Sequence, residues 1–188
     1  MKQLVAYILV LFLSISCKAQ TIHFHNYKSD LKSVIENLKI NTNQLSITID
    51  KSDYKLTIHC DTIVLKEYPV VFGENPVDDK LMQGDNCTPE GKFFMNMKYT
   101  HKKWNKFIWL NYPTEESWAK HNAAIQHGKI PQNAKIGGDI GIHGVPVEFD
   151  FLIDIRFNWT AGCISLKNKD IDEIFQYITK STPIIIQK

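Results

Sequence analysis

Two residues of this chain, His143 and Cys163, combine a reactive side chain with neighbours that favour chemistry. Cys163 stands behind Gly162, where an extended segment would turn, which is a typical place for a cysteine nucleophile. His143 precedes Gly144 at a predicted strand end and lies 20 positions upstream, so it suits a neighbouring strand rather than the same helix face. The pair predicts catalysis with sulfur as the nucleophile and imidazole as the base.

The alternative for Cys163 is a buried and inert thiol, which is common among free cysteines. Its small neighbours Ala161 and Gly162 favour an accessible thiol. Their backbone N–H groups, with that of the cysteine, would converge on an oxyanion as acyl transfer requires. Because a free thiol of pKa ~8.5 is mostly protonated at neutral pH, His143 must also lie within hydrogen-bonding reach of the sulfur.

Three side chains before the cysteine are candidates for substrate binding, and each has a structural alternative. Thr160 would hydrogen-bond the substrate or stabilise its own turn. Arg156 carries a guanidinium that matches a peptide carboxylate, but a surface ion pair with Asp154 or Glu148 would also account for it. Trp159 would line the cleft or simply pack beside the turn. The sequence leaves each pair of alternatives open.

The hydrophobic pattern predicts an α+β fold that is mostly β, with a few peripheral helices. Apolar and polar residues alternate from residue 45 to 65, which indicates a hairpin meander. Further strands are predicted at residues 70–72, 92–98, 107–111, near 143, in a short segment after 144, and at 184–186. A set of large aromatic residues is assigned to the core rather than to a sugar-stacking surface: Trp104, Phe107, Trp109 and Trp118.

Three helices are predicted from capping residues and periodicity. Thr114 caps a helix that runs to about Gln126, and this helix and the loop 129–138 either form a wall of the substrate cleft or lie at the surface. Asn168 caps a helix that extends through Ile178. Ser29 begins a short amphipathic helix whose apolar face comprises Leu31, Val34, Ile35 and Leu38.

These motifs resemble the L,D-transpeptidases of the YkuD fold, whose signature is His-Gly, a spacer, and Ser/Thr-His-Gly-Cys-Ile-Arg-Leu. His143-Gly144 matches the first part, and the second is matched at Thr160, Gly162, Cys163, Ile164 and Leu166. Residues 68–73 and 88–93 are similar to two more family segments, a strand ending in glycine and Thr-Pro-x-Gly-x-Phe. The resemblance covers roughly residues 45–188 and implies a YkuD-type β-sandwich or barrel of mixed strands.

Two positions depart from the family signature, since Ala161 replaces the second histidine and Ser165 replaces the arginine. The family assigns the base to the first histidine, here His143, so the loss of the second does not remove the means of activating the thiol. The run Gly-Gly-Asp-Ile-Gly-Ile-His-Gly at 137–144 resembles the YafK branch, which includes proteins thought to hydrolyse wall attachments.

The resemblance implies a peptidoglycan-modifying cysteine acyltransferase that acts on stem peptides. Cys163 would form a thioester, backbone N–H groups at 161–163 would hold the oxyanion, and a backbone carbonyl near Gly144 would orient His143. An amine acceptor would give a crosslink, whereas water would make the protein a hydrolase of stems or of wall-attached protein. A catalytically silent wall-binding lipoprotein is the alternative from another class.

The N-terminus predicts export, because Lys2 precedes an apolar run at residues 4–15 that is too short to span a bilayer comfortably. Residues 1–19 therefore resemble a signal peptide. Either Cys17, in a loose lipobox, is lipidated, or cleavage follows Ala19. The expected location is the periplasmic side of the cell envelope, with anchoring to the inner or outer membrane if Cys17 carries lipid.

One catalytic domain is expected at residues 45–188, preceded by a tether and short helix at 20–44, because 188 residues that are 44% hydrophobic can fill one core. A formal net charge of +2 gives no field that would attract nucleic acid. The sequence indicates neither a metal nor a cofactor, since the seven histidines are scattered and no Gly-rich phosphate loop is present. Cys60 and Cys87 would form a disulfide or remain two buried thiols.

Overall fold

The computed structural model describes residues 23–188, which form two β-sheets with four helices around them. The predicted signal segment, Cys17 and Ala19 lie outside these residues. The strands are β1 (Leu45–Asp50), β2 (Lys55–Cys60), β3 (Ile63–Pro69), β4 (Gly91–Phe93), β5 (Met95–His101), β6 (Asn105–Leu110), β7 (Gly141–His143), β8 (Ile164–Ser165) and β9 (Ile184–Gln187). The helices are α1 (Leu31–Asn37), α2 (Glu115–Gln126), α3 (Phe151–Asp154) and α4 (Asn168–Phe175).

Both sheets mix parallel and antiparallel pairs, which confirms the prediction of an α+β, mostly β, YkuD-type fold. The first sheet has the order β3-β2-β1-β9-β4, in which only β1 and β9 run parallel. The second has the order β5-β6-β7-β8, in which β7 and β8 run parallel. The period-2 pattern of β1 buries alternate residues, and these pack against the second sheet in one core.

Helix α1 begins two residues later than predicted, at Leu31, because Asp30 and not Ser29 caps its first turn. The helix ends at Asn37. Leu38, which was expected on the apolar face, is therefore the C-cap and is exposed. Helix α2 matches its prediction in cap and extent. Helix α4 differs at both ends, since Lys167 and not the predicted Asn168 is its N-cap and it ends at Phe175, before the predicted Ile178.

Two strand predictions are wrong. Residues 70–72 do not form one of the nine strands in the described chain, because their backbone hydrogen bonds go to three different segments. Val70 N donates to the Tyr54 carbonyl, Val71 pairs with Ser165, and Phe72 N donates to the Asn158 side chain. The segment after Gly144 forms the short helix α3 instead of a strand.

Cys60 and Cys87 are free and buried, so the alternative of two reduced thiols holds and the disulfide does not. The thiol of Cys87 donates to the Asp85 carbonyl at 3.3 Å. Within residues 23–188, no helix has the length and apolar character needed to cross a membrane.

Candidate active site

The parallel pair β7–β8 brings His143 and Cys163 to one edge of the second sheet. His143 is opposite Ser165 in the register, and Cys163 is two residues before that position. Both residues line a cavity of about 430 Å³. His143 is only 1% exposed, whereas Cys163 is partly exposed. The other lining residues are Tyr99, Trp104, Phe107, Trp109, Gly138, Asp139, Ile140, Trp159, Thr160 and Ala161.

The imidazole of His143 is fixed by a backbone carbonyl. Its Nδ1 lies 2.6 Å from the carbonyl oxygen of Gly144, and because a carbonyl only accepts, Nδ1 carries the proton and Nε2 is left as the basic nitrogen. The same oxygen accepts from the Ser165 hydroxyl at 3.3 Å. Gly144 has no room for a side chain, since a Cβ there would lie 2.9 Å from the carbonyl oxygen of Trp104.

Aromatic rings enclose the imidazole of His143. Trp104 stacks on it at 4.6 Å between ring centroids, Phe107 stacks at 5.6 Å, and Trp159 meets it edge-on at 5.6 Å. His101 stacks on Trp104 at 4.5 Å. Trp104 and Phe107 were assigned to the core, but they and Trp109 line the cavity.

Trp118, the fourth member of that aromatic set, is 46% exposed on α2. No residue of α2 lines the cavity, whereas Gly138, at the end of the loop 129–138, does. The loop end and not the helix therefore forms a wall of the cleft. Sequence reasoning also missed Tyr99 and Ile140 as lining residues. Nothing in their spacing indicates this position, because it results from how the sheet edge meets the loop.

Burial keeps both reacting groups neutral at pH 7. It lowers the pKa of His143 to about 4 and raises the pKa of Cys163 to about 11. A backbone hydrogen bond from Gly141 lowers the pKa of the thiol, but burial, together with the Asp139 carboxylate, outweighs it and raises the pKa. The thiol donates to the Asp139 carbonyl at 3.4 Å, and within residues 23–188 it has no hydrogen bond to His143. The resting state is therefore a neutral thiol, not the thiolate that an adjacent imidazolium would give.

The turn that carries Cys163 is stabilised by Thr160. The Thr160 hydroxyl accepts from Gly162 N at 3.2 Å and donates to the Cys163 carbonyl at 2.7 Å. Thr160 thus stabilises the turn, while its contact with substrate stays a prediction. The Gly162 N–H is engaged rather than free for an oxyanion. Gly162 has φ +135°, and a Cβ there would lie 2.6 Å from the Cys87 carbonyl oxygen. Ala161 is exposed and lines the cavity.

Arg156 is not among the residues that line the cavity, and its role in substrate binding stays a prediction. Its guanidinium sits 4.8 Å from the ring centroid of Tyr54, and Nη2 donates to the Asp53 carbonyl at 3.4 Å. Asp154, a predicted alternative partner, pairs instead with Lys167 at 2.5 Å. Trp159, by contrast, does line the cavity.

The Thr-Pro segment recognised in the sequence supports the turn that carries Cys163. The Thr88 hydroxyl accepts from Gly73 N at 3.1 Å, and Gly73 bridges to Thr160. Buried Lys51 holds this segment by donating to the Glu90 carboxylate at 2.8 Å and to the Asp78 carbonyl at 2.7 Å. The segment thereby fixes the backbone on which the nucleophile turn rests.

Comparisons with known proteins agree with this geometry. The family model described as YkuD, L,D-transpeptidase catalytic domain, matches residues 44–186. A search of curated proteins gave no match. Among solved structures, the helical cell shape determining protein Pgp2 from Campylobacter jejuni has 20% identity and a TM-score of 0.57, over 84% of this chain and 55% of that one.

Two further solved structures share the fold. Bd1075 from Bdellovibrio bacteriovorus has 23% identity and a TM-score of 0.53, over 77% of this chain and 48% of that one. An L,D-transpeptidase from Mycobacterium smegmatis has 15% identity and a TM-score of 0.50, over 77% of this chain and 59% of that one. The matches therefore span about half of each of these longer chains.

Proposed function

Because the chain belongs to the YkuD family of L,D-transpeptidase catalytic domains, we propose that it is a cysteine acyltransferase that modifies peptidoglycan stem peptides. The observation that carries this proposal is the shared cavity of His143 and Cys163, in which the Gly144 carbonyl fixes the tautomer of the imidazole. Its proposed location is the periplasmic side of the cell envelope, with attachment through a lipidated Cys17 as one route. Pgp2, by its description, determines cell shape, which supports a similar role in wall organisation here.

The neutral resting pair favours general-base catalysis over a preformed thiolate. Sγ of Cys163 bonds to the carbonyl carbon of the third stem residue while Nε2 of His143 takes the thiol proton. The carbonyl π electrons move onto oxygen, and backbone N–H groups of Ala161 and Cys163 donate to this oxyanion. Collapse breaks the C–N bond, and the leaving amine takes the proton from His143, so that a thioester remains.

The second half-reaction returns the thiol. The amine of a second stem attacks the thioester while His143 accepts its proton, and the C–S bond then breaks to give a crosslink. If water attacks instead, the product is a trimmed stem or a released wall-attached protein. The aromatic rings around the imidazole give the cavity an apolar wall, which favours an organic amine over water as the acceptor.

The test is to incubate the purified full chain with muropeptides and to identify the products by mass. We expect new crosslinks between third-position residues from the wild-type protein and none from Cys163→Ala. A carbapenem should add covalently to the wild-type chain only. Trimmed stems without crosslinks would assign the hydrolase instead. If neither product nor adduct depends on Cys163, the acyltransferase proposal fails and the silent wall-binding alternative stands.

A further inference from the structure

An unusual surface lies next to the active-site turn, in the residues around α3. Of the twelve large hydrophobic side chains that are exposed in the described chain, five fall within residues 147–157. They are between 46% and 80% exposed, and the rings of Phe149 and Phe151 lie 5.9 Å apart. We call this the apolar segment; it comprises Val147, Phe149, Phe151, Ile155 and Phe157. Contiguous exposed apolar groups of this kind mark an interaction surface.

The apolar segment is held rigidly. Phe157 N donates to the Leu152 carbonyl at 2.9 Å, which closes the turn after α3. Ile153 is buried beneath the segment, and the Asn158 amide donates to the Tyr54 hydroxyl at 2.8 Å. The exposed rings are therefore presented by a fixed scaffold, and their exposure does not result from a loose loop.

The N-terminal end of the described chain lies beside this surface. Phe24 and Tyr27 line the same depression, of about 390 Å³, as Ile153 and Arg156. The strand β3 holds that end in place, since Glu67 N donates to the His25 carbonyl at 2.9 Å. The chain therefore leaves the fold next to the apolar segment.

The sequence before this exit point contains the apolar run at residues 4–15 and Cys17. The seven residues 16–22 reach at most about 25 Å when fully extended. If that run or a lipid on Cys17 is in a bilayer, the fold is held within this distance of the bilayer surface, with the apolar segment close to the point of attachment.

We propose that the apolar segment docks on the surface of a phospholipid bilayer. The aromatic and aliphatic side chains would insert at the boundary between headgroups and acyl chains, as interfacial apolar groups do. The segment has more acids than bases, because Asp154 is neutralised by Lys167 while Glu148 and Asp150 are opposed only by Arg156. Docking therefore depends on apolar contact and requires no anionic lipid. Docking does not involve the thiol of Cys163, so its test is independent of the proposed function.

The experiment uses the full chain in phosphatidylcholine vesicles whose acyl chains carry a photoreactive group. After irradiation, the labelled positions are mapped by mass spectrometry of peptides. We expect adducts on the apolar segment, and none on Val77 and Trp118, which are exposed to a similar extent elsewhere in the fold. Cys163→Ala should give the same map. Equal labelling of the two control residues, or no labelling of the segment, would overturn the proposal.

A matched pair of variants sharpens the test. Phe149→Ser/Phe151→Ser/Phe157→Ser should reduce labelling of Val147 and Ile155 by about tenfold or more, whereas Val77→Ser/Trp118→Ser should not change it. A cooperative thermal unfolding transition would show that each variant folds; should the triple variant not fold, the wild-type map decides alone. Labelling that appears only with phosphatidylglycerol would contradict docking by apolar contact on lipid.

Discussion

Hydrophobic residues have different roles in the two sheets of this fold. In the five-stranded sheet, alternate aliphatic residues point into a sealed core, as with Ile47 and Leu56. In the four-stranded sheet, aromatic residues of β5 and β6 and their connecting turn, among them Trp104 and Phe107, surround a cavity that holds the imidazole. The first sheet gives stability, whereas the second gives a largely apolar surrounding that changes the proton affinities of His143 and Cys163.

Among the substitutions that distinguish the roles of the two sheets, His143→Gln should have the largest effect. The amide keeps a polar group of similar size but cannot accept the thiol proton, so the rate of acylation of Cys163 should fall by about 10² to 10⁴-fold. The rate is measured with a carbapenem by mass spectrometry, and thermal unfolding serves as the control. An acylation rate within about threefold of wild type would show that His143 is not the base.

Leu56→Ala tests the first sheet alone. Leu56 is fully buried, so its truncation should lower the free energy of unfolding by about 2–5 kcal/mol. Denaturant unfolding measures this loss. At a temperature where the variant is still folded, the acylation rate should match wild type. A variant that lost its rate but kept its stability would show that the two sheets are not separable in this way.

Asp139→Asn should produce a smaller change, in the reactivity of the thiol. The Asp139 carboxylate raises the pKa of Cys163, so its neutralisation should lower that pKa. The alkylation rate of the thiol should then begin to increase at a lower pH than in the wild-type protein. The measurement is the rate of iodoacetamide modification against pH. Glu148→Gln, which neutralises a carboxylate that does not line the cavity, is the control and should leave the profile in place.

The smallest effect is expected from Arg156→Ala. Its guanidinium contacts Tyr54 and the Asp53 carbonyl away from the cavity, so stability should fall by no more than about 1 kcal/mol and the acylation rate should not change. Steady-state kinetics with a muropeptide donor provide the check. A raised KM with unaltered stability would show that Arg156 does contribute to substrate binding.

The sequence predicted the first sheet better than the second, for a physical reason. Alternation along β1 and β2 is local, so it can be read from neighbouring residues. Whether an aromatic residue such as Trp109 seals a core or lines a cavity depends on what packs opposite to it, which local pattern does not contain. The short helix α3 was missed because its apolar residues are split between solvent and core, with Phe151 exposed and Ile153 buried, so they give no clear periodic pattern.

The candidate pair of His143 and Cys163 was identified from residue types, but its protonation state was not. The position of Cys163 behind Gly162 follows from the needs of a tight turn, and the sequence displays it directly. Burial raises the pKa of the Cys163 thiol, and residues far apart in the chain, such as Ile140, line the cavity around it. The substrate roles of Thr160 and Arg156 stay predictions, and residue type alone does not assign them, because a hydroxyl or guanidinium that is hydrogen-bonded within the fold looks the same in a sequence.

The contact between Gly162 and the Cys87 carbonyl has a consequence for altering this protein. It holds the turn that carries Cys163 against main chain, and the Thr160 hydroxyl holds the same turn from within, so exchanges in the aromatic wall need not displace the sulfur. Libraries built at Tyr99 and Trp109 can therefore explore which acyl donors fit, while the geometry of attack stays constant.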